Sequence, residues 1–171
     1  MSAQRQNQYY GRMFTTVSRM QLTRFTDLGL RTMMLLATGD TTNRRVTIRT
    51  VATAAGASEH HIAKAVARLV DLDMVAARRG RIGGLSLTDA GRTVSVGWLI
   101  RRLEGDQEVI ECEGATPCPL LAGCRLRRAL ADAKEAFYRE LDRHTIDDLV
   151  RDTTLPIVHL QLHTANEGIT R

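Results

Sequence analysis

The stretch TIRTVATAAGASEHHIAKAVARLVD, residues 47–71, decides the fold. Its apolar residues recur at helical spacing before and after Gly56, a residue type that interrupts helices. A hydroxyl residue precedes each half and can cap its first turn: Thr47 and Ser58. The stretch therefore predicts helices over 48–55 and 59–71 joined by a glycine turn, which is the arrangement of a helix-turn-helix.

The second of these helices has two different sides. One side is apolar and is expected to be buried: Ile62, Ala65, Val66 and Leu69. The opposite side carries hydrogen-bond donors: His60, His61, Lys64 and Arg68. In a DNA-binding protein, Lys64 and Arg68 would contact phosphates or base edges. Ser58, His60 and His61 would lie at the helix N-terminus, which points at the major groove. The alternative is a solvated basic face on a small helical protein.

A basic hairpin is predicted in MVAARRGRIGGLSL, residues 74–87. Two short runs, over about 74–79 and 85–87, have the character of strands, and the glycines between them predict a tight turn. Three arginines lie at the tip and suit contact with phosphates or a minor groove: Arg78, Arg79 and Arg81. Together with the helix pair, this hairpin predicts a mainly α fold with a small β-hairpin wing, a winged helix-turn-helix.

The three cysteines of the chain form a C-x5-C-x5-C pattern: Cys112, Cys118 and Cys124. An odd number of cysteines cannot all pair within one chain. Clustered thiolates are soft ligands that suit an iron–sulfur cluster or zinc. Zinc sites usually have closer spacing and a second ligand pair, and no histidine lies within this loop. An iron–sulfur cluster is the favoured interpretation, with zinc and a redox-active dithiol as alternatives.

Composition limits the class of protein. The net charge is +5 with a pI of about 9.6, which permits binding to nucleic acid without requiring it. No apolar run reaches the length of a membrane span and no secretory signal precedes the fold, so a cytoplasmic location is expected. The sequence lacks a nucleophile–base arrangement and a phosphate-binding glycine motif. We therefore expect a protein that is not an enzyme.

A long amphipathic helix is predicted after the cysteines, and its apolar stripe exceeds what a terminal helix needs to cover a small domain. The stripe consists of Leu126, Leu130, Ala133, Phe137 and Leu141. Pairing with its own copy in a homodimer is expected, and folding back on the winged helix is the alternative. A dimer also suits DNA reading, because two reading helices then lie about one helical turn apart.

The remaining periodicity completes the layout of the chain. A first helix is predicted over about 24–38, with Phe25, Leu28, Thr32 and Leu36 facing the core, and others over about 88–103, 125–141 and 145–150. The first expected segments are a disordered extension at 1–19, with Met20 as an alternative start, and a DNA-binding winged helix-turn-helix at 20–88. A connecting helix at 89–104 and a cluster-binding loop at 105–124 are expected next. A dimerisation helix at 125–142 and a partly disordered C-terminal segment at 143–171 complete the chain.

Three motifs carry a family resemblance: MQLTRFTDLGLR (20–31), ARRGRIGGLSLTDAGR (77–92), and the C-x5-C-x5-C pattern followed by RLRRAL (125–130). The chain resembles the IscR/NsrR family of iron–sulfur transcription regulators, and within it the NsrR branch of nitric-oxide-sensing repressors. The resemblance covers about residues 20–150. It implies a homodimer that binds a double-stranded operator, an inverted repeat, and releases it when nitric oxide attacks the cluster.

The resemblance also implies the cofactor and its ligands. It implies a [4Fe–4S] cluster, with [2Fe–2S] as the alternative, held by the three cysteines and by Asp27 from the other subunit. In the IscR branch the fourth ligand is a histidine three residues after the last cysteine, where this chain has Arg127. Read without the resemblance, Asp27 is an aspartate that stabilises the first turn of a helix and pairs with Arg31. A carboxylate would be a weak and labile ligand for cluster iron.

Rival functions follow from the same features. Within DNA binding, the rival is a regulator that senses iron, cluster supply or redox state rather than nitric oxide. Outside it, the rivals are a zinc-stabilised interaction module and a cluster-assembly or redox protein.

Overall fold

The computed structural model describes residues 22–41, 46–78, 80, 83–105, 108–114 and 116–151. Their helices are α1 (Arg24–Thr41), α2 (Ile48–Ala55), α3 (Glu59–Asp71), α4 (Asp89–Thr93), α5 (Val96–Glu104), α6 (Arg125–Leu141) and α7 (Ile146–Val150). Two strands, β1 (Val75–Arg78) and β2 (Gly84–Leu87), lie between α3 and α4, and a 3-10 turn spans Leu121–Gly123. The mainly helical fold with a small antiparallel hairpin is confirmed. The extension expected at 1–19 and the segment after residue 151 lie outside the described residues.

Both helices of the helix-turn-helix have the predicted boundaries. The Thr47 hydroxyl accepts the amide of Thr50 at 3.2 Å, and the Thr47 amide donates to the Thr50 hydroxyl at 2.8 Å, which completes a capping box. Gly56 follows α2 with a φ of 61°, a left-handed conformation that glycine adopts at little cost. Ser58 Oγ accepts the amide of His61 at 3.3 Å and caps α3. Local hydrogen bonds therefore define the start of each helix.

The core is aliphatic, and α1 runs through it in contact with α3, α5, α7 and β2. Among the described residues, the largest fully buried apolar side chains are Met33, Leu36, Val51, Ile62, Leu69, Leu99, Ile100 and Ile146. The predicted inner face of α1 is confirmed for Leu28, Thr32 and Leu36, which are buried, whereas Phe25 is half-buried. The buried Thr32 hydroxyl donates to the Leu28 carbonyl at 2.7 Å, so this polar group is satisfied within the helix.

The hairpin pairs antiparallel, with Val75 opposite Leu87 and Arg78 opposite Gly84. Val75 and Leu87 are buried, whereas Arg78 is exposed at the end of β1. Leu85 donates its amide to the Val46 carbonyl at 2.8 Å, which fixes the segment before α2 to the wing. The hairpin is thus held to the segment that precedes the helix-turn-helix.

The helix predicted over 88–103 is wrong in one respect, because the chain forms two helices there, α4 and α5. Val94 and Ser95 are extended between them, and Ser95 caps α5 by accepting the amide of Trp98 at 3.2 Å. Ser95 also forms an isolated bridge with Thr145, and the amide of Val96 donates to the carbonyl of His144 at 2.8 Å. Hydrogen bonds to a distant segment therefore stabilise the break.

The long helix α6 packs on α5 through its C-terminal half, where Tyr138 is buried. The close approach requires Gly97, since a Cβ at that position would collide with the Tyr138 carbonyl. Within the part of the chain that the structure describes, the predicted dimerisation stripe is largely uncovered. Leu126 is 60% exposed and Phe137 is 41% exposed, Ala133 is exposed, and Leu130 and Leu141 are half-buried.

The short helix α7 contributes to the core through Ile146 and packs against α1. Among the described helices, none is long and apolar enough to cross a membrane.

Candidate nucleic-acid interface and metal centre

The outer face of α3 presents the side chains that the sequence predicts for DNA contact. Ser58, His60, His61, Lys64 and Arg68 are all exposed. Arg68 differs from the others, because its Nη2 donates to the carbonyl oxygen of Arg102 at 3.3 Å. Its guanidinium is thereby drawn toward the end of α5 instead of extending freely from α3.

The N-terminal turn of α3 orients His61. The Ser58 hydroxyl lies 2.9 Å from His61 Nδ1 and also accepts the His61 amide. When the hydroxyl donates its single proton to Nδ1, the neutral imidazole carries its own proton on Nε2. In that form His61 presents a donor, and donors match the phosphate oxygens and the N7 and O6 acceptors of guanine.

One cation beside α3 was not identified from the sequence. Arg49 is exposed on α2, and its Nε lies 3.8 Å from Glu59 Oε1 in the first turn of α3. This places a further positive group next to the N-terminus of the reading helix. Its sequence signal is weak, because a single arginine on a short helix is usually only a solvated side chain.

The wing is described in part. Arg78 ends β1 and is exposed, whereas Arg79 and Arg81 lie outside the described residues. Gly80 has a φ of 103°, and its carbonyl accepts the amide of Gly83 at 2.9 Å. The turn therefore requires glycine at position 80, where a side chain would be strained.

The three thiols lie in the cysteine loop, residues 105–124. Cys112 is buried, and Cys118 and Cys124 are half-buried, with all three thiols free. The Cys118 amide donates to the Cys112 carbonyl at 3.0 Å, so the segment between these two ligand candidates closes on itself. Burial raises the pKa of the Cys112 thiol, the neighbouring Cys118 raises it further, and the Arg127 guanidinium opposes both.

The third cysteine is part of a helix terminus. Cys124 is the N-cap of α6, and its Sγ accepts the amide of Arg127 at 3.5 Å. Cys124 is therefore held on a regular element, whereas Cys112 and Cys118 lie in irregular backbone.

Three thiols on one loop have the donor chemistry of an iron–sulfur site. The charges of Cys118 and Cys124 both contribute to the raised pKa of the Cys112 thiol. A cavity of about 560 Å³ adjoins Cys112, lined by Glu108, Ile110, Glu111, Glu113 and Gly114. In the described part of residues 22–151, no three His, Cys, Asp or Glu side chains are arranged so that they could hold one metal ion.

Arg127 links both sides of Cys112 to α6. Its Nε lies 2.9 Å from Glu108 Oε2, its Nη2 also bonds Glu108, and Nη2 lies 2.8 Å from Glu113 Oε1. These bonds raise the pKa of the Arg127 guanidinium, and Arg127 lowers the pKa of Glu108. Arg127, which stands where the IscR branch has a histidine, therefore forms hydrogen bonds with two carboxylates of the loop.

Asp27 lies in the first turn of α1, as predicted. Its Oδ1 accepts a hydrogen bond from Arg31 Nε at 2.7 Å, and its side chain is 43% exposed. Its carboxylate is thus paired within one chain and accessible from outside it. Four residues earlier, the Thr23 amide donates to Glu104 Oε1 at 2.7 Å, a contact that sequence spacing gives no means of finding.

Comparisons with known proteins agree with these features. Residues 22–152 match Rrf2, described as an iron-dependent transcriptional regulator. The HTH-type transcriptional repressor NsrR of Streptomyces coelicolor is 55% identical over 139 residues, which are 81% of this chain and 94% of that protein. The HTH-type transcriptional regulator NsrR of Geobacillus kaustophilus is 38% identical over 135 residues, which are 78% of this chain and 91% of that protein.

Solved structures share the fold. CymR, the global cysteine regulator of B. subtilis, has a TM-score of 0.61 at 24% identity, covering 79% of this chain and 99% of that one. IscR of T. potens has a TM-score of 0.60 at 23% identity, covering 77% of this chain and 87% of that one. At these identities the likeness shows the fold alone. The match over residues 22–152 shows more: the chain belongs to the Rrf2 family of iron-dependent transcriptional regulators.

Proposed function

We propose that this chain is a DNA-binding transcriptional repressor that acts as a homodimer and carries an iron–sulfur cluster that senses nitric oxide. The observation that carries the proposal is the loop of three neighbouring thiols in the same chain as an exposed reading helix. Identity of 55% to a repressor named NsrR supports nitric oxide as the signal.

The DNA-binding part rests on α3 and the wing. The first turns of α3 present His60, His61 and Lys64, and Arg78 extends from the hairpin on the same unit. His61 and Lys64 would enter the major groove of one half-site, while the wing contacts the backbone or minor groove beside it. In a symmetric dimer the two reading helices require a two-fold symmetric operator, hence an inverted repeat.

The dimer surface is supported by apolar exposure. Among the described residues, four of the five large exposed apolar side chains lie in the cysteine loop or on α6: Val109, Leu120, Leu126 and Phe137. Exposed apolar groups that concentrate on one part of a protein are typical of an interaction surface. A second copy of α6 is the proposed occupant, which also places the cysteine loop at the subunit boundary.

In this proposal Cys112, Cys118 and Cys124 hold the [4Fe–4S] cluster, and Asp27 of the partner subunit completes the ligand set. When bound, the cluster supplies iron that reacts with nitric oxide. A carboxylate is a hard ligand that would bind cluster iron weakly, so the position that Asp27 would hold is the labile one of the four. Loss of Asp27 from the site would free α1 and, through the core, alter the spacing of the two reading helices.

The direct test is the absorption spectrum and the iron and sulfide content of protein purified without oxygen. Operator-like DNA is selected from a random library with that protein, and its release is measured as nitric oxide is added. We expect a coloured protein that binds a two-fold symmetric sequence and releases it with nitric oxide. A Cys118→Ala variant should lose the colour. A colourless, zinc-containing protein would contradict the cluster.

Regulation by iron or cluster supply is the second candidate, and the description of the family as iron-dependent favours it. The two are separated by adding nitric oxide, oxygen or an iron chelator to identical samples of the DNA complex. Release by nitric oxide within a few equivalents, with slow release by chelator, supports the proposed signal. Faster release by chelator would favour iron sensing.

A further inference from the structure

We propose that Arg127 is a positioning residue that holds Cys112 in a fixed place relative to Cys124, and does so in the protein without a cluster. It does so by joining the segment on both sides of Cys112 to the first turn of α6. This inference rests on the proposed function only in taking the cysteines as ligands.

Arg127 makes three contacts, one with Cys124 and two with glutamates on either side of Cys112. Arg127 is three residues after Cys124 and donates its own amide to Cys124 Sγ at 3.5 Å. Its side chain reaches Glu108 and Glu113, which are 19 and 14 residues earlier in the chain. Cys112 lies between these two glutamates. A single residue therefore relates the position of Cys112 to that of Cys124.

The loop needs such a contact because its described residues, 108–114 and 116–124, contain little regular structure. They have one 3-10 turn and a few backbone hydrogen bonds, such as that from the Cys118 amide to the Cys112 carbonyl. Bringing the ends of a flexible loop together costs conformational entropy, and a fixed contact removes part of that cost before ligands bind. Preorganised ligands then bind without further ordering.

The chemistry of arginine suits two carboxylates at once. A planar guanidinium presents five donors in a fixed geometry, whereas an ammonium group is a single point charge. Arg127 uses Nε and Nη2 on Glu108 and again Nη2 on Glu113. Charge-assisted, two-point bonds of this kind fix orientation as well as distance. Lysine at this position would retain the charge without the orientation.

The test uses the full-length protein without a cluster, kept reduced, and measures the alkylation rate of each cysteine by mass spectrometry. The variants are Arg127→Lys, Arg127→Gln and the double variant Glu108→Gln with Glu113→Gln. Arg128→Ala is the matched control, since Arg128 is the next residue of α6 and is exposed. Far-UV circular dichroism establishes that each variant folds.

We expect Cys112 to react about threefold to tenfold faster in the Arg127 variants and in the double variant, a range typical of a partly exposed ion-pair network. The control should react at the wild-type rate. Arg127→Lys retains the positive charge and removes only the planar guanidinium with its fixed donors. Faster reaction in Arg127→Lys therefore reports an opened loop rather than a lost charge.

Two outcomes would overturn the inference. One is an unchanged Cys112 rate in both Arg127 variants, and the other is an equal acceleration in Arg128→Ala. The result is independent of the proposed function, because no cluster is needed. The variants could react faster while the wild-type protein takes up no iron and sulfide. That result would support the positioning role of Arg127 and contradict the proposed cluster.

Discussion

The carboxylate of Glu104, the last residue of α5, accepts hydrogen bonds from the backbone amide of Thr23 at 2.7 Å and from the Thr23 hydroxyl at 3.1 Å. The contact joins residues 81 positions apart and directly precedes both the cysteine loop and the helix that carries Asp27. The start of α1 and the start of the loop therefore share one carboxylate.

Replacing Glu104 with alanine should destabilise the protein by about 1 kcal/mol, since two hydrogen bonds at a helix start are lost. The measurement is urea unfolding of the cluster-free protein. Asp132→Asn is the control, because Asp132 is an exposed acidic residue on α6. Equal stability of Glu104→Ala and wild type would show that water replaces this contact without cost.

Replacing Asp27 with alanine should change the absorption spectrum of the cluster and its rate of reaction with nitric oxide, because the proposed oxygen ligand is removed. Arg31→Ala is the matched control, since it removes the 2.7 Å partner of Asp27 but leaves the carboxylate. If Asp27→Ala has the wild-type spectrum and nitric oxide response, Asp27 is not a ligand.

Replacing Lys64 with alanine should weaken binding to all DNA sequences by a similar factor. If Lys64 contacts one phosphate, the slope of log affinity against log salt should fall by about one. Binding is measured by fluorescence anisotropy at several salt concentrations. Lys134→Ala, on α6, should retain the wild-type slope. An unchanged slope for Lys64→Ala would place that side chain away from the phosphates.

Replacing Phe137 with aspartate should weaken the homodimer about tenfold or more, because a charge would be buried where an aromatic ring packs. Light scattering after size-exclusion chromatography measures the mass as the protein is diluted. Val70→Asp is the control, since Val70 is 39% exposed but lies on α3. If the Phe137→Asp protein is still dimeric at the lowest concentration at which the wild type is dimeric, the apolar stripe of α6 is not the dimer interface.

The pH dependence of stability should include the pair between Arg101 and Glu135. The hydrogen bond from Arg101, at 2.8 Å, lowers the pKa of Glu135 below its ordinary value of 4.5. A carboxyl with a lowered folded-state pKa stabilises the protein fully above its unfolded pKa, and this stabilisation is lost as pH falls through the folded-state value. Glu135→Gln should therefore reduce the difference in melting temperature between pH 7 and pH 3. If the melting temperature changes equally between pH 7 and pH 3 in Glu135→Gln and in the wild type, the pair of Arg101 and Glu135 contributes nothing to the pH dependence of stability.

The sequence was most informative where structure depends on near neighbours. The boundaries of α2 and α3 follow from Thr47, Gly56 and Ser58, whose effects reach only a few residues. The break between α4 and α5 depends on Thr145 and His144, about 50 residues away, which no local pattern encodes. A continuous helix was therefore predicted in its place.

The site shows the same limit. The cysteine pattern identifies the three thiols, and the resemblance singles out Arg127 as the replacement for a histidine. The partners of Arg127 lie in irregular backbone, where no periodicity relates Glu108 or Glu113 to α6. The contact between Glu104 and Thr23 likewise depends on how α5 packs against α1.

The bridge between Ser95 and Thr145 has an evolutionary consequence. It brings the two ends of residues 96–144 together, so α5, the cysteine loop and α6 leave and rejoin the rest of the fold at one place. Of these, α5 belongs to the core through Leu99 and Ile100, whereas the cysteine loop and most of α6 lie outside it. Segments whose ends are adjacent are tolerated as insertions and can be exchanged as a block. A different sensor could therefore replace the segment after α5 while the core and the helix that reads DNA remain as they are.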